Sequence, residues 1–225
     1  MSRPLADMTW PEVEGPRRIL LVPVGSFEQH GPHLPLDTDT RIAAAVAAHA
    51  HRAFPQADLG PAVPYGASGE HAGFPGTLSI GTEALARLVT ELARDASPRW
   101  PTLVIVNGHG GNTDALRLAA GVCAQEGRRL LVHHLDVPGG DAHAGRTETS
   151  LLLHLAPAAV LLDLAEKGAT EPLPALMPRL RAEGVRTVSP NGVLGDPAGA
   201  TAAEGARLFQ SLTRSLLDRL NDELR

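Results

Sequence analysis

Residues Ile19 to Asp39 read ILLVPVGSFEQHGPHLPLDTD. The stretch Ile19 to Val24 is a short, unbroken apolar run of the kind found in strands covered on both faces. The segment immediately after it gathers Glu28, His30, His33, Asp37 and Asp39 into one loop, stiffened by Pro32 and Pro35. A chain that leaves its core through so many titratable groups is building something at that exit.

Working outward, Thr102 to Val106 (TLVIV) repeats the apolar pattern, and Arg129 to Leu135 (RLLVHHL) repeats it less cleanly. Between these runs lie Ala- and Leu-rich segments, Thr40 to Ala53, Thr82 to Ala96 and Asn112 to Glu126, each opened by a Thr or Asn suited to an N-cap. The alternation predicts an α/β fold with a mainly parallel sheet and helices on both faces. Thr147 to Leu155 reads as a short helix, and Glu171 to Gly195 is broken by Pro172, Pro174, Pro178 and Pro190. Ala200 to Leu224 reads as a long amphipathic helix. At 225 residues and 43% hydrophobic, the chain can bury one good core, and a single domain over 1–225 is expected.

The balance of 20 basic and 25 acidic residues, net -5, offers no basic footprint for nucleic acid or an anionic membrane. Small molecules or peptides are the expected partners. Cys123 is the only cysteine, so no intrachain disulfide can form and a reducing compartment is the natural home. The N-terminal MSRPLADMTWPEVEGPRR lacks the apolar core of a signal peptide. No apolar stretch approaches the roughly 18 residues needed to span a bilayer, so a cytoplasmic protein is expected.

In an open parallel sheet, ligands sit beyond the carboxyl ends of the strands. The EQHGPHLPLDTD loop leaves the first strand there, NGHGGN (Asn107 to Asn112) leaves TLVIV, and HAGRTE (His143 to Glu148) comes after the strand ending near Leu135. Imidazole and carboxylate together suit Zn(II), Fe(II) and Mn(II), whereas phosphate loops favour glycine amides and lysine. Glu28 and His30, two apart, can reach one point from an extended loop, with Asp39 further along; a carboxylate can also bridge two ions. A single loop His or Glu is usually structural or solvated, but this clustering marks a metal or catalytic site.

Gly108, Gly110 and Thr113 form GxGxxT, close to a dinucleotide fingerprint with Asp136 as its ribose acid, but the match is weak: Thr113 replaces the third glycine and Asp136 lies further on than the usual roughly 20 residues. His109 suits a metal better than a pyrophosphate. There is no GxSxG elbow, HExxH helix or P-loop, and Cys123 falls inside an apolar helix as a packing residue. His49 and His51 read as surface residues of the first helix, and His133 and His134 as packed strand residues.

Four segments in order, VPVGSFEQHGPHLPLDTD, GEHAGFPGTLSIG (Gly69 to Gly81), VIVNGHGGN and HAGRTETSLLL (His143 to Leu153), resemble the creatininase family of metal-dependent amidohydrolases. The likeness spans roughly residues 19 to 155 and implies a three-layer α/β/α sandwich, two divalent ions, water as nucleophile and a homo-oligomer. It places Glu28, His30, Asp39 and His109 on metal-ligand positions, Asp39 as the bridge, and His143 on a position associated with proton transfer. Creatininase itself reads Gly-His-Tyr-Glu-Asn in the second loop and uses that Glu as a ligand, whereas Gly111 stands here. This departure argues against creatinine as substrate, and Glu148 is the candidate replacement, in a combined metal and catalytic role.

Within the family the sequence is most similar to the mycofactocin-maturation branch, through LPLDTDTRIA, YGASGEHAGFPGTLSIGTEAL, GGDAHAGRTETSLLLHL and NGVLGDPAGATAAEG. That branch implies a precursor peptide substrate, trimmed to release a C-terminal Val-Tyr-derived core. Glu70, His71 and Arg146 are candidate substrate contacts, each matched by an ordinary hydrogen-bonding or ion-pairing role. Other readings are an amidohydrolase acting on a small cyclic amide or formamide, and a metal-free nucleotide-binding or scaffold subunit. Ligand softness leaves Fe(II), Zn(II) and Mn(II) equally open.

Overall fold

The structure is a computed structural model that describes residues 3–15 and 17–223; Met1, Ser2 and Pro16 of the N-terminal stretch, and Leu224 at the expected end of the last helix, lie outside it. Four strands, β1 (Ile19–Val24), β2 (Ala57–Leu59), β3 (Thr102–Asn107) and β4 (Arg129–His134), form an all-parallel sheet in the order β2-β1-β3-β4. Every residue of β1 and β3 is buried, as continuous apolar runs require in a sheet covered on both sides.

Strand alternation sorts the core into two layers. Ile19, Leu21, Val104 and Val106 face α1 (Thr38–Ala53), α4 (Arg146–Leu155) and α7 (Ala202–Glu223). Leu20, Val22, Val24, Leu103 and Ile105 face α2 (Thr82–Ala96) and α3 (Thr113–Gln125). The result is the expected α/β/α sandwich. The proline-broken segment supplies α5 (Leu173–Glu183) and α6 (Val185–Val188), which enclose a small cluster of Leu176, Leu180, Val185 and Leu194.

Several local expectations change. β2 has no counterpart among the sequence expectations, because three residues carry no readable periodicity. α1 begins at Thr38, so Thr40 lies inside it and donates its hydroxyl to the Ser26 carbonyl at 2.9 Å. Asn112 makes no side-chain cap; its amide ties three loops together, accepting from Ala67 N–H and donating to Gly25 O and Asn107 Oδ1. His51 is only 1% exposed and donates Nδ1–H to the Ala57 carbonyl at 2.7 Å, which anchors α1 to β2. His49 is half-buried against Phe209, not a free surface group.

α4 and α7 cross closely because Gly205 presents no side chain: a Cβ there would collide with the Ser150 carbonyl. In an ordinary helix, Gly→Ala stabilises by roughly 0.5–1 kcal/mol. Here Gly205→Ala is expected to destabilise by about 1–3 kcal/mol through overpacking against backbone, read as a lower urea midpoint; a raised midpoint would contradict this packing.

Candidate metal centre

The strand order places β1 between β2 and β3, with successive connections leaving in opposite directions. That is the topological switch point, where such sheets bind ligands beyond the carboxyl ends. The loop after β1 and the loop after β3 meet there, and Gly108 permits the approach, since a Cβ would press on the Asp39 carbonyl at 2.6 Å.

Glu28, His30 and Asp39 are at most 2% exposed, and His109 is 6% exposed. Asp39 faces two imidazoles at once, Oδ1 lying 3.0 Å from His30 Nε2 and Oδ2 3.1 Å from His109 Nδ1. Ser26 donates its hydroxyl to Oδ2 at 2.8 Å. Burial works against ionisation of Asp39, yet His30 and His109 hold it well below the usual carboxylate range. Glu28 Oε2 lies 3.1 Å from His109 Nε2, but neither oxygen of this fully buried carboxylate has a hydrogen-bond partner. Burial pushes Glu28 up to about 7 despite His109. Burying a carboxylate this completely is costly unless positive charge meets it, and a metal ion beside His109 would supply that charge.

The imidazoles show the same demand. His30 donates Nδ1–H to the Glu28 backbone carbonyl at 3.0 Å, which turns Nε2 towards Asp39 and towards Glu148 Oε2 at 3.9 Å. Burial opposes charge on His30, but Asp39, Glu148 and Glu28 push it up to about 10; His109 is also pushed up to about 10 by Glu28, Asp39 and Glu70 against its burial. Carboxylates that hold protons on imidazole so firmly would equally hold a metal ion there. Two triads bring their ligand atoms within 4.8 Å of one another and fit an ion, Glu28–Asp39–His109 and His30–His143–Glu148; Glu28–His71–His143 makes a third grouping.

Glu148 stands in the first turn of α4, accepting the Ala144 amide N–H at 2.6 Å, and burial pushes it up to about 7. The amide is aimed by Ala144, a non-glycine residue at φ 52. Holding such a conformation costs of order 1–3 kcal/mol and clusters at functional sites. His143, beside it, is clamped by paired backbone hydrogen bonds with Leu194 at 3.2 and 2.9 Å. Its Nε2–H donates to the Gln29 carbonyl at 2.9 Å, so Nδ1 is the nitrogen left facing the centre, 3.7 Å from Glu28 Oε1. Burial and His30 hold His143 well below its ordinary value.

The remaining candidates fall differently. Glu70 Oε1 lies 3.6 Å from His109 Nε2 and occupies the space a side chain at position 111 would enter, so the glycine there makes room for a carboxylate delivered from another loop. Glu148 approaches from the opposite, His30 side. His71 packs deep, 3% exposed. Arg146 is half-exposed and forms an ion pair with Glu204 at 2.8 Å. Sequence reasoning missed Ser26, Asn112 and Gln29; the position of Gln29, between Glu28 and His30, was the available signal. A cavity of about 880 Å³ opens onto Asp39, His109, His143 and Glu148, with Arg146 and Glu204 in its wall, large enough for a short peptide segment.

Comparison with known proteins fits this geometry. The family model for creatinine amidohydrolase matches residues 6–220. The "Mycofactocin precursor peptide peptidase" of Mycolicibacterium smegmatis is 55% identical over 207 residues, 90% of this chain and 84% of that protein. The creatinine amidohydrolase of Pseudomonas putida is 27% identical, covering 97% of this chain and 96% of that protein. Among solved structures, "Creatininase Mn" superposes with a TM-score of 0.80 at 25% identity over 99% of both chains. The chain therefore belongs to the creatininase family of metal-dependent amidohydrolases.

Proposed function

We propose that this chain is a peptide-bond hydrolase using two divalent transition ions, Fe(II), Zn(II) or Mn(II), and that its substrate is a mycofactocin precursor peptide from which it releases a C-terminal Val-Tyr-derived core. The observation that carries the metal reading is Glu28, fully buried with neither oxygen hydrogen-bonded, beside an Asp39 that faces an imidazole on each oxygen. Glu28, Asp39 and His109 would hold one ion and His30, Asp39 and Glu148 the other, with Asp39 shared. Bound there, the ions supply Lewis acidity and lower the pKa of water from 15.7 towards about 7.

The protein's own groups do the rest. His143 commits Nε2–H to the Gln29 carbonyl and turns Nδ1 to the centre, where it would take the proton of the attacking water and return it to the departing amine nitrogen. The cavity would admit an extended segment to this point, and Arg146 and the walls around it would set its path. The substrate reading is supported by the peptidase relatives, 50% to 55% identical over about nine-tenths of the chain. The small-amide reading has weaker support, from the creatinine amidohydrolase above and a formylamino-pyrimidine deformylase of Methanobrevibacter ruminantium, 27% identical over 60% of the chain. We further infer one domain over 1–225, a homo-oligomer and a reducing cytoplasmic setting; no helix among the described residues is long and apolar enough to cross a membrane.

A peptide ending in the modified Val-Tyr pair should be cleaved with metal present and spared after chelation, by mass spectrometry; hydrolysis of creatinine or a formamide in its place would select the other reading. Asp39→Ala should lose both ions, whereas Glu148→Gln should lose one and keep the other, by elemental analysis. Full occupancy in either variant would remove that residue from the ligand set. His143→Ala is expected to retain its ions while turnover falls about 10²–10⁴-fold; unchanged turnover would exclude it from proton transfer.

A further inference from the structure

The Gln29 side chain is buried, 5% exposed, between two metal-ligand candidates. Its orientation is fixed from both ends by backbone: Oε1 accepts the Gly31 amide N–H at 2.8 Å, and Nε2 donates to the Gly192 carbonyl at 3.0 Å. Rotating the amide by half a turn would set oxygen against oxygen and N–H against N–H. Gln29 Nε2 also lies 3.1 Å from His143 Nε2, but that nitrogen spends its own hydrogen on the Gln29 backbone carbonyl and cannot accept, so the second amide hydrogen goes to His71 Nδ1 at 2.9 Å. Nδ1 must then accept, and a neutral imidazole that accepts at one nitrogen carries its hydrogen on the other. That other nitrogen, His71 Nε2, lies 3.3 Å from Glu28 Oε1, and a ring adjustment would align the N–H for a hydrogen bond.

We infer that His71 is a positioning residue, locked by Gln29 as an Nε2–H donor to Glu28, and is neither a metal ligand nor a substrate contact. The grouping Glu28–His71–His143 therefore binds no ion of its own. A relay runs from the Gly192 carbonyl through the Gln29 amide and the His71 ring to Glu28, and leaves Oε2 for a metal. Outer-shell partners of this kind orient a ligand and commonly contribute 10–100-fold in metal affinity. The relay also gives the NGVLG segment a purpose: Gly192, at φ 83, brings its carbonyl to the amide where any Cβ would collide with Gln29.

The effect on affinity rests on the proposed two-ion function, whereas the tautomer does not, so the two can fail separately. Long-range proton–nitrogen spectra of the histidine-labelled protein, loaded with Zn(II), should show His71 protonated at Nε2 and bare at Nδ1. The reverse pattern, or an Nε2 shifted by zinc coordination, would overturn the inference. Zn(II) titration of chelator-stripped protein should then show about a 10–100-fold loss for His71→Phe, with most of it restored by His71→Asn, which keeps a donor. Gln29→Met should release the lock and populate the Nδ1–H form. Wild-type affinity in His71→Phe would remove the relay from metal binding, and should Gln29→Met fail to fold, the wild-type spectrum and the His71 pair decide.

Discussion

The complete burial of the Glu28 carboxylate, with imidazoles in place of water beside both oxygens, is the constraint around which this protein is arranged. Positive charge is what would keep Glu28 ionised there, and the residues around it supply carboxylates and imidazoles in the proportions a cation needs. Asp39, at the start of α1, returns to the same point and places one oxygen before each of two imidazoles. The sheet positions the centre. β1 and β3 lie side by side at the switch point, so the loops leaving them converge without long excursions.

Around that core the supporting groups are mostly backbone amides, carbonyls and uncharged side chains. Ser26 steadies Asp39, Ala144 holds its amide to Glu148, the Glu28 carbonyl sets the His30 tautomer, and the Gln29 carbonyl sets that of His143. Each fixes an orientation without adding net charge to a site already dominated by ionisable groups. Rigidity of this kind lowers the ordering cost of binding and keeps the reacting groups within a narrow geometry.

Much of this was legible in the sequence, for identifiable reasons. Continuous apolar runs revealed three of the four strands, and Ala- and Leu-rich segments revealed the main helices, because both signals are local. The strand-exit loops carried their chemistry in residue type alone, so Glu28, His30, Asp39, His109 and His143 could be named before their distances were known. What escaped reading depends on contacts between distant segments. β2 is too short to show a period. His51 looked like a surface residue until β2 supplied an acceptor for it, and Asn112 looked like a cap although its amide serves three loops. Gly111 marked a missing side chain, but only the fold shows Glu70 filling that space while Glu148 arrives on the other side.

Whether the Glu28–Asp39 centre holds a pair of ions is decided by elemental analysis of protein purified without chelator or affinity tag. Close to two transition ions per chain are expected. Protein that contains none, and gains neither stability nor activity from added Fe(II), Zn(II) or Mn(II), would contradict the two-ion centre.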